Sequence, residues 1–572
     1  MRDACDAMGD RAPVQCLAVR RPLFTLCALA ALTFALGLGR QAITDADEAY
    51  YAEAAHEMLA SGDWLTPRFN FADRWQKPVL YYWLTAATYA VAGTPEWAAR
   101  LWSALSGIGL AVLTWAVARR WHAEDGYDAA RSRDGTVEAA WLAGAIVATS
   151  FGYATMARAA LPDLPLAFFI TATIAATLRA GEDDARRWWV AAGALAGCGF
   201  LMKGPVALAV PAVVGLPIWW LERRHLRVSV SGVAIALAAW AVVGLPWYVA
   251  MTVTHGMPYL ESFFVADNLE RFTTTRFNQP RPLWFYPLVV VGGMMPWSIF
   301  AVGPVVSALR RAVARRLAVS AGEGRLLLWA GVPLVLFMAS VGQQPRYVLP
   351  VLPPLAILLA SAIARRSREA SKGLSLPAWV TVALLLALAG ALLRLRPMLI
   401  AVHPVAPWIV VGMFGVAALL LALIALTGRW TALPLGMTAC AMLLVLGVQF
   451  GALAGRRPEA VEEIAAAVRA HRQAGERVGP YRAFVRNLVF YVGTKQVDLF
   501  DEVAATAFLQ SPERVLLVVP LSELPTLERA AGVATHELAR VTYLNTANLR
   551  IDALIHPTPE SQLETVVLVT NR

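Results

Sequence analysis

Charged residues are scarce in this chain. Asp, Glu, Lys and Arg make up 16% of its 572 residues, whereas apolar residues make up 58%. The mean hydropathy is +0.54. A soluble protein of this length would carry more charge, so the composition excludes a soluble fold and predicts a polytopic membrane protein.

Cysteine and histidine are also scarce, with five and eight residues. All the cysteines fall in the N-terminal tail or in apolar segments, which excludes a disulfide framework in the loops. His56, His255 and His556 are isolated, and the C-terminal region has neither metal-ligand spacing nor a glycine-rich phosphate loop. The sequence therefore predicts no cofactor and leaves the use of a divalent metal open.

Thirteen segments are apolar and long enough to cross a bilayer, which takes about 17–25 residues. They lie near 22–39, 97–118, 137–156, 164–179, 188–202, 205–221, 229–250, 285–307, 326–341, 348–364, 377–393, 406–426 and 431–452. The predicted fold class is an all-α polytopic membrane protein with about 13 transmembrane helices and a small C-terminal α/β domain.

Basic clusters occur in alternate loops, at 119–133, 179–187, 223–227, 310–316 and 365–368. Because cytoplasmic loops are rich in Lys and Arg, these loops are predicted to be cytoplasmic and the C-terminus to lie outside. The net charge of +10 therefore reflects mainly the basic residues of the predicted cytoplasmic loops. The scatter of the basic residues argues against nucleic-acid binding.

Three outer regions interrupt the pattern of short loops; one is the loop His255–Trp284, and the other two contain predicted secondary structure. We name residues 41–95 the first loop; it is predicted to contain a surface helix, Asp47–Ala60, and a short apolar helix, Pro78–Ala92. The second of these two is a soluble domain at 455–572, following a transmembrane domain at 1–454. Its predicted helices are Glu459–His471 and Glu523–Ala531, and its predicted buried strands are Val515–Val519 and Val566–Val569.

Seven charged residues lie at segment ends that this topology places on one side of the membrane. They are Asp47, Glu48, Lys77, Asp163, Lys203, Arg271 and Arg346. Charges at a bilayer boundary usually serve a function or meet lipid headgroups. Because all seven are predicted to lie on one side of the membrane, we expect them to form a functional site.

Each carboxylate also has a structural interpretation. Asp47 and Glu48 fall in the first turn of a predicted helix capped by Asp45, where negative charge is favourable. Asp163 could cap the span that follows it. The functional alternative is that these carboxylates face a cavity at the membrane surface.

The cations have two interpretations as well. Pro78 is predicted to be the first residue of a helix, which would place Lys77 beside the free N–H groups that attract anions. Lys203-Gly-Pro205 repeats this arrangement. Snorkelling lysines or contacts with anionic headgroups would explain the same pattern. A carboxylate and several cations in one cavity suit displacement of a lipid phosphate from a sugar anomeric carbon.

Several motifs resemble GT-C membrane glycosyltransferases. The most specific runs from Asp47-Glu-Ala-Tyr-Tyr51 to Gly62-Asp-Trp64, followed by Lys77-Pro78 and Tyr82-Trp83. Further matches are Asp163, Met202-Lys-Gly204, Glu270-Arg-Phe272, Pro282-Leu-Trp-Phe-Tyr286, Pro296-Trp297 and Pro345-Arg-Tyr347. Lipid A aminoarabinose transferases are the most similar, and protein O-mannosyltransferases are more distant.

This resemblance implies a sugar donor on undecaprenyl phosphate and a lipid A phosphate acceptor, at the periplasmic face of a bacterial inner membrane. Transfer of 4-amino-4-deoxy-L-arabinose would protect the cell against polymyxin. The candidate catalytic residues are Asp47, Glu48 and Asp163. The candidate residues for the lipid phosphate are Lys77, Tyr82, Lys203, Arg271, Arg346 and Tyr347.

The chain departs from the family pattern in two places. Gln279 stands where relatives often have histidine, and Gln343 and Gln344 replace a Lys-x-Lys pattern, with Arg346 beside Tyr347. These changes leave open another sugar or a protein hydroxyl acceptor. A transporter or flippase is a further alternative, but those folds usually show internal repeats and mid-membrane sites, which this sequence lacks.

Overall fold

The computed structural model describes residues 12–124, 133–183, 185–275, 280–314, 319–370, 372–396, 405–453, 457–545 and 563–572. This part of the chain is mostly helical, with a two-stranded hairpin near the start and a four-stranded sheet near the end. The helices up to residue 453 share one large buried apolar core.

The first nine helices are α1 (Ala12–Phe34), α2 (Ala46–Ser61), α3 (Leu80–Ala92), α4 (Glu96–Glu124), α5 (Arg133–Thr149), α6 (Phe151–Ala157), α7 (Asp163–Asp183), α8 (Arg186–Lys203) and α9 (Val206–Glu222). They are followed by α10 (Val230–Gly244), α11 (Pro246–His255), α12 (Met257–Leu260), α13 (Arg271–Thr273), α14 (Phe285–Gly293), α15 (Val302–Val313), α16 (Ala321–Met338), α17 (Leu352–Arg368), α18 (Ser375–Arg394), α19 (Ala406–Thr427) and α20 (Leu433–Gly447). Segments Glu261–Glu270 and Val448–Leu453 form π-helix, and Trp297–Ala301, Pro345–Val351, Lys372–Leu374 and Trp430–Ala432 form 3₁₀ turns.

Within the described residues, seven helices are long and apolar enough to cross a membrane, and three bent pairs raise this number to ten. The protein is therefore a multi-pass membrane protein. Each of the thirteen predicted apolar segments coincides with a helix or a bent helix pair.

One predicted span, at 285–307, is not a continuous helix. Its two parts, Phe285–Gly293 and Trp297–Arg311, meet at 111°. Pro296 lies at the break. Proline lacks the N–H donor that helix propagation needs, which explains why the apolar run turns here.

The first loop contains α2, the hairpin strands β1 (Arg68–Phe69) and β2 (Ala72–Asp73), and α3. Asp45 caps α2, because its carboxylate accepts hydrogen bonds from the backbone N–H groups of Asp47 (2.7 Å) and Glu48 (3.3 Å). The prediction that Pro78 begins a helix is wrong: α3 begins at Leu80. The backbone immediately before α3 is irregular, and Lys77 in this segment lines the cavity described below.

The C-terminal domain, residues 457–545 and 563–572 as described, contains α21 (Ala460–His471), β3 (Arg477–Pro480), α22 (Leu488–Val492), α23 (Glu502–Leu509), β4 (Val515–Pro520), α24 (Leu524–Ala531), β5 (His536–Leu544) and β6 (Leu563–Thr570). Its strands follow the order β3-β4-β6-β5, parallel between β3 and β4 and antiparallel elsewhere.

Strand β4 is buried on both faces. Val515, Leu517 and Val519 join one apolar cluster, while Leu516 and Val518 join the other, as the two-residue repeat of a strand requires. The predicted helices and strands of this region are confirmed. The predicted boundary between residues 454 and 455 lies outside the described residues, so the division into two domains stays a prediction.

Candidate active site

A cavity of about 420 Å³ lies where α2, the segment before α3 and the ends of several spans meet. Six cations and three carboxylates line it, so positive charge exceeds negative charge by three. The cations are Arg74, Lys77, Lys203, Arg271, Arg346 and Arg486, and the carboxylates are Asp47, Asp163 and Asp267. Such a wall favours an anionic ligand.

Asp47 lies in the first turn of α2 and faces this cavity. Its Oδ2 accepts a hydrogen bond from Nη2 of Arg346 at 2.7 Å, although 45% of the Asp47 side chain remains exposed. Arg346 therefore fixes the carboxylate from across the cavity, and part of the carboxylate stays available to a ligand.

Glu48 does not line the cavity, which corrects its assignment as a candidate catalytic residue. Its two carboxylate oxygens each lie 2.9 Å from a guanidinium nitrogen of buried Arg100, and Oε1 also accepts the N–H of Ala160. Adjacent residues of a helix point in different directions, so Asp47 and Glu48 cannot share one face. Glu48 is a structural ion-pair partner.

Asp163 is the first residue of α7 and is buried. Its Oδ1 lies 2.5 Å from Nζ of Lys203 and 3.6 Å from Nε of Arg346. The carboxylate thus pairs with two cations. Arg346 connects Asp163 to Asp47, which makes one charged network across the cavity.

Lys77 differs from the other lysine of the cavity. Its Nζ donates to the carbonyl oxygen of Gln76 (2.9 Å), and no carboxylate of the described residues lies within ion-pairing distance. Burial, with a smaller contribution from the charges of Arg271 and Lys203, lowers the pKa of Lys77 to about 7, against the opposing effect of Asp267. An anion bound here would favour the protonated amine.

Arg271 enters the cavity beside Lys77 and pairs with Asp267, 3.0 Å away. Its backbone is close to the loop after α16, because Val341 N–H donates to the carbonyl oxygen of Phe272. A Cβ at Gly342 would lie 2.0 Å from the carbonyl oxygen of Arg271, so only glycine permits this approach.

The two candidate tyrosines lie at different depths relative to the cavity. Tyr347 lines the cavity, and Nζ of Lys203 lies 5.0 Å from the centre of its ring. Tyr82 is buried behind the wall, where it stacks on Tyr51 and accepts a hydrogen bond from Nε of Arg74 at 3.3 Å. Tyr82 therefore supports the wall and does not line the cavity.

Of the residues that depart from the family pattern, Gln343 is buried and donates to the carbonyl oxygens of Met338 and Ser340. Gln344 precedes the 3₁₀ turn that carries Arg346 and Tyr347. Both glutamines belong to the turn between α16 and that segment. Gln279 lies outside the described residues.

Several known proteins resemble this chain in sequence or in fold. The family of dolichyl-phosphate-mannose-protein mannosyltransferases matches residues 22–255. The undecaprenyl phosphate-alpha-4-amino-4-deoxy-L-arabinose arabinosyl transferase of Edwardsiella ictaluri is 30% identical over 67% of this chain and 66% of its own length. The corresponding enzyme of Pseudomonas aeruginosa strain UCBPP-PA14 is 32% identical over 61% of each chain. The chain thus aligns with less than two thirds of the length of these two relatives.

The fold comparison extends over almost the whole chain. The crystal structure of ArnT from Cupriavidus metallidurans bound to undecaprenyl phosphate has a TM-score of 0.70 at 22% identity, and covers 96% of this chain and 98% of that one. The chain therefore has the GT-C fold of this ArnT, and its sequence is similar to the arabinosyl transferases named above. The predicted resemblance to ArnT-type glycosyltransferases and the predicted GT-C fold are confirmed.

In this GT-C chain the structure brings Asp47, Lys77, Asp163, Lys203, Arg271, Arg346 and Tyr347 to one cavity. Sequence reasoning missed Arg74 and Arg486, which line the same wall. Arg74 lies between two matched motifs and could have been found there, whereas Arg486 reaches the cavity only through packing of the C-terminal domain. Among the described residues, no three His, Cys, Asp or Glu side chains form a group that could hold a metal ion.

Proposed function

We propose that the protein transfers 4-amino-4-deoxy-L-arabinose from undecaprenyl phosphate to a phosphate group of lipid A. The observation that carries this proposal is the cavity in which Asp47, held by Arg346, lies with Lys77, a cation that has no carboxylate partner among the described residues. The printed names of the similar enzymes supply the sugar and the donor.

The reaction breaks the bond between the anomeric carbon and the donor phosphate oxygen, and an oxygen of the acceptor phosphate forms the new bond to that carbon. The electron pair of the broken bond leaves with undecaprenyl phosphate, whose negative charge increases. Lys77 and Arg271 would stabilise this charge, because cations placed where charge develops lower the barrier. Protonated Lys77 would act as a compact positive charge against the departing phosphate.

A lipid A phosphate is already an anion at neutral pH, so the acceptor needs little help in losing a proton. Asp47 would then orient the acceptor or bind the amine of the donor sugar. Its bond to Arg346 fits this role, since a charge-assisted hydrogen bond fixes the direction of the carboxylate while part of the side chain stays exposed to a ligand.

The proposed location is the bacterial inner membrane, with the cavity and the C-terminal domain on the periplasmic side. The support is the positive-inside pattern of the loops, which places the basic clusters on the other side. Addition of an amino sugar masks a negative charge of lipid A, and the expected consequence is resistance to polymyxin and other cationic peptides.

A second acceptor class has some support. The matching family is described by transfer to protein, and a related polyprenyl-phosphate transferase could use another sugar or a protein hydroxyl. A hydroxyl acceptor needs a base more than a phosphate acceptor does, and one oxygen of Asp47 already accepts from Arg346.

The proposal is tested by mass spectrometry of lipid A after expression of the chain in a strain that lacks its own transferase. We expect a mass increase of one aminoarabinose on lipid A phosphates, together with polymyxin resistance. Unmodified lipid A, with the protein present in the membrane and the donor lipid present in the cell, would refute the proposed acceptor. A different added mass would identify a different sugar.

A further inference from the structure

The aromatic ring of Tyr50 contacts two guanidinium groups at one part of the cavity wall. The Cζ atom of Arg74 lies 3.9 Å from the ring centre, and that of Arg486 lies 4.8 Å from it. Tyr50 and Arg74 belong to the first loop, whereas Arg486 belongs to the C-terminal domain. All three residues line the cavity that holds Asp47.

These two arginines differ from the paired cations of the same wall. Lys203, Arg271 and Arg346 each have a carboxylate within ion-pairing distance. Among the described residues, neither Arg74 nor Arg486 has such a partner. Nε of Arg74 donates to the Tyr82 hydroxyl, and the guanidinium group of Arg486 lies over the Tyr50 ring.

Two like charges against one ring repel each other, and the cost is larger in a partly buried cavity than in water. The charge of Arg486 acts on the carboxylate of Asp498, where it opposes the rise that burial causes in the pKa of Asp498. Asp498 instead contacts the side chain of Asn70. An anion that contacts both guanidinium groups would offset this repulsion, and the planar fork of an arginine suits the oxygens of a phosphate.

We propose that Arg74 and Arg486 bind the acceptor phosphate, so that the C-terminal domain contributes directly to the acceptor half of the site. This inference rests on the proposed function, because it requires an anionic acceptor. Transfer between two phosphates brings two anions into one cavity, and each anion needs its own cations. Lys77 and Arg271 serve the donor, whereas Arg74 and Arg486 are grouped around Tyr50 and supply the second set.

The phosphate bound by these arginines could come from either substrate, and steady-state kinetics separates the two sources. Purified wild-type protein and Arg486→Ala are assayed in detergent, first with lipid A varied at saturating donor and then with donor varied at saturating lipid A. We expect KM for lipid A to rise about 10- to 100-fold, the loss of one charge-assisted contact, with KM for the donor unchanged. Arg486→Lys should restore part of the affinity for lipid A.

Arg482→Ala is the matched control. Arg482 is an exposed arginine of the same segment, but it pairs with Glu523 and does not line the cavity. Its substitution should leave both KM values unchanged. Arg74→Gln is the second variant, and thermal melts of all variants identify any that fail to fold.

A rise in KM for the donor alone would assign the phosphate to undecaprenyl phosphate and overturn the inference. Unchanged KM values for both substrates in Arg486→Ala and Arg74→Gln would overturn it too. Failure of the proposed function is a separate result, because wild-type protein would then leave lipid A unmodified under every condition.

Discussion

The side-chain amide of Asn487 donates hydrogen bonds to the carbonyl oxygens of Ile43 (3.1 Å) and Asp45 (3.0 Å). Asp45 in turn caps the helix that carries Asp47. The C-terminal domain therefore holds the residues that begin this helix. The hydroxyl oxygen of Tyr491 accepts a further hydrogen bond from the N–H of Ile43, at 2.7 Å. The position of Asp47 therefore depends on this domain as well as on the spans.

Asn487→Ala is expected to lower kcat more than it changes KM for the donor, because it loosens the start of α2 and leaves Lys77 and Arg271, the proposed donor-binding cations, in place. A loss of about tenfold corresponds to the 1.4 kcal/mol that a buried hydrogen bond can contribute. Gln510→Ala is the control: its amide donates to the carbonyl oxygen of Ala531 inside the C-terminal domain. Equal effects of the two substitutions on kcat would contradict this account.

Asp47→Asn and Glu48→Gln should separate chemistry from folding at adjacent positions. Asp47→Asn should abolish transfer while the melting temperature stays near the wild-type value, because Asp47 is partly exposed. Glu48→Gln leaves buried Arg100 without its counter-charge, which typically costs about 3–5 kcal/mol of stability. Lipid A mass spectrometry and thermal melts of both variants provide the measurements. Normal lipid A modification by Asp47→Asn would contradict its role.

Lys77→Ala and Arg271→Ala should each weaken use of the donor. Removal of one partner of a buried charge pair costs about 2–5 kcal/mol, so kcat/KM for the donor should fall by tens to thousands of fold. Lys77→Arg should recover only part of the activity, since a planar fork cannot occupy the place of a compact ammonium group. The measurements are transfer kinetics with a defined donor lipid and a thermal melt of each variant. Normal donor turnover by both alanine variants would mean that these residues meet only lipid headgroups.

Donor binding should depend on pH through Lys77. Burial lowers the pKa of Lys77 to about 7, and the protonated form attracts phosphate. Because kcat/KM reports the free enzyme, kcat/KM for the donor should fall as pH rises through about 7. The arginine of Lys77→Arg stays charged, so its profile should lack this fall. A wild-type profile that is flat between pH 6 and about 8.5 would contradict the prediction.

Glu57 gives the first loop a pH-dependent stability. Burial raises the pKa of Glu57 from 4.5 to about 7, and its two oxygens each accept the N–H of Phe71 at 3.1 Å. Because the folded state favours the protonated carboxyl, this stability is full below pH 4.5 and is lost as pH rises through about 7. Glu57→Gln should therefore raise the melting temperature at pH 8 relative to wild type, and less so at pH 5. A constant difference at both pH values would argue against Glu57 as the source.

The sequence was informative about the spans and about which charges share a side of the membrane. Apolar runs of sufficient length mark helices, and alternate basic loops orient them, so Asp163, Lys203 and Arg346 could be predicted to lie near one another. Adjacency in sequence could not show that Asp47 faces the cavity while Glu48 faces Arg100. That difference depends on the rotation of α2 about its axis, which tertiary packing sets.

Arg486 illustrates a second limit of prediction from the sequence. The secondary structure of the C-terminal domain follows from its apolar repeats, and the predicted strands Val515–Val519 and Val566–Val569 are present. The way this domain packs on the first loop depends on individual bonds, such as the reciprocal pair between Asn70 and the backbone of Gln496. Polar contacts between segments more than 400 residues apart have no periodic signature in the sequence.

The bond between Arg346 and Asp47 has a consequence for water. Water must give up a proton to attack an anomeric carbon, whereas a phosphate arrives without one to lose. Oδ2 of Asp47 already accepts from Arg346, so a water molecule that needs a base would find only one of the two carboxylate oxygens free of that contact. Under the proposed function, the contact with Arg346 would therefore favour the phosphate over water at the activated sugar. Discrimination against water, the most abundant competing nucleophile, would then come from limited access to a base. The cavity would not need to exclude solvent.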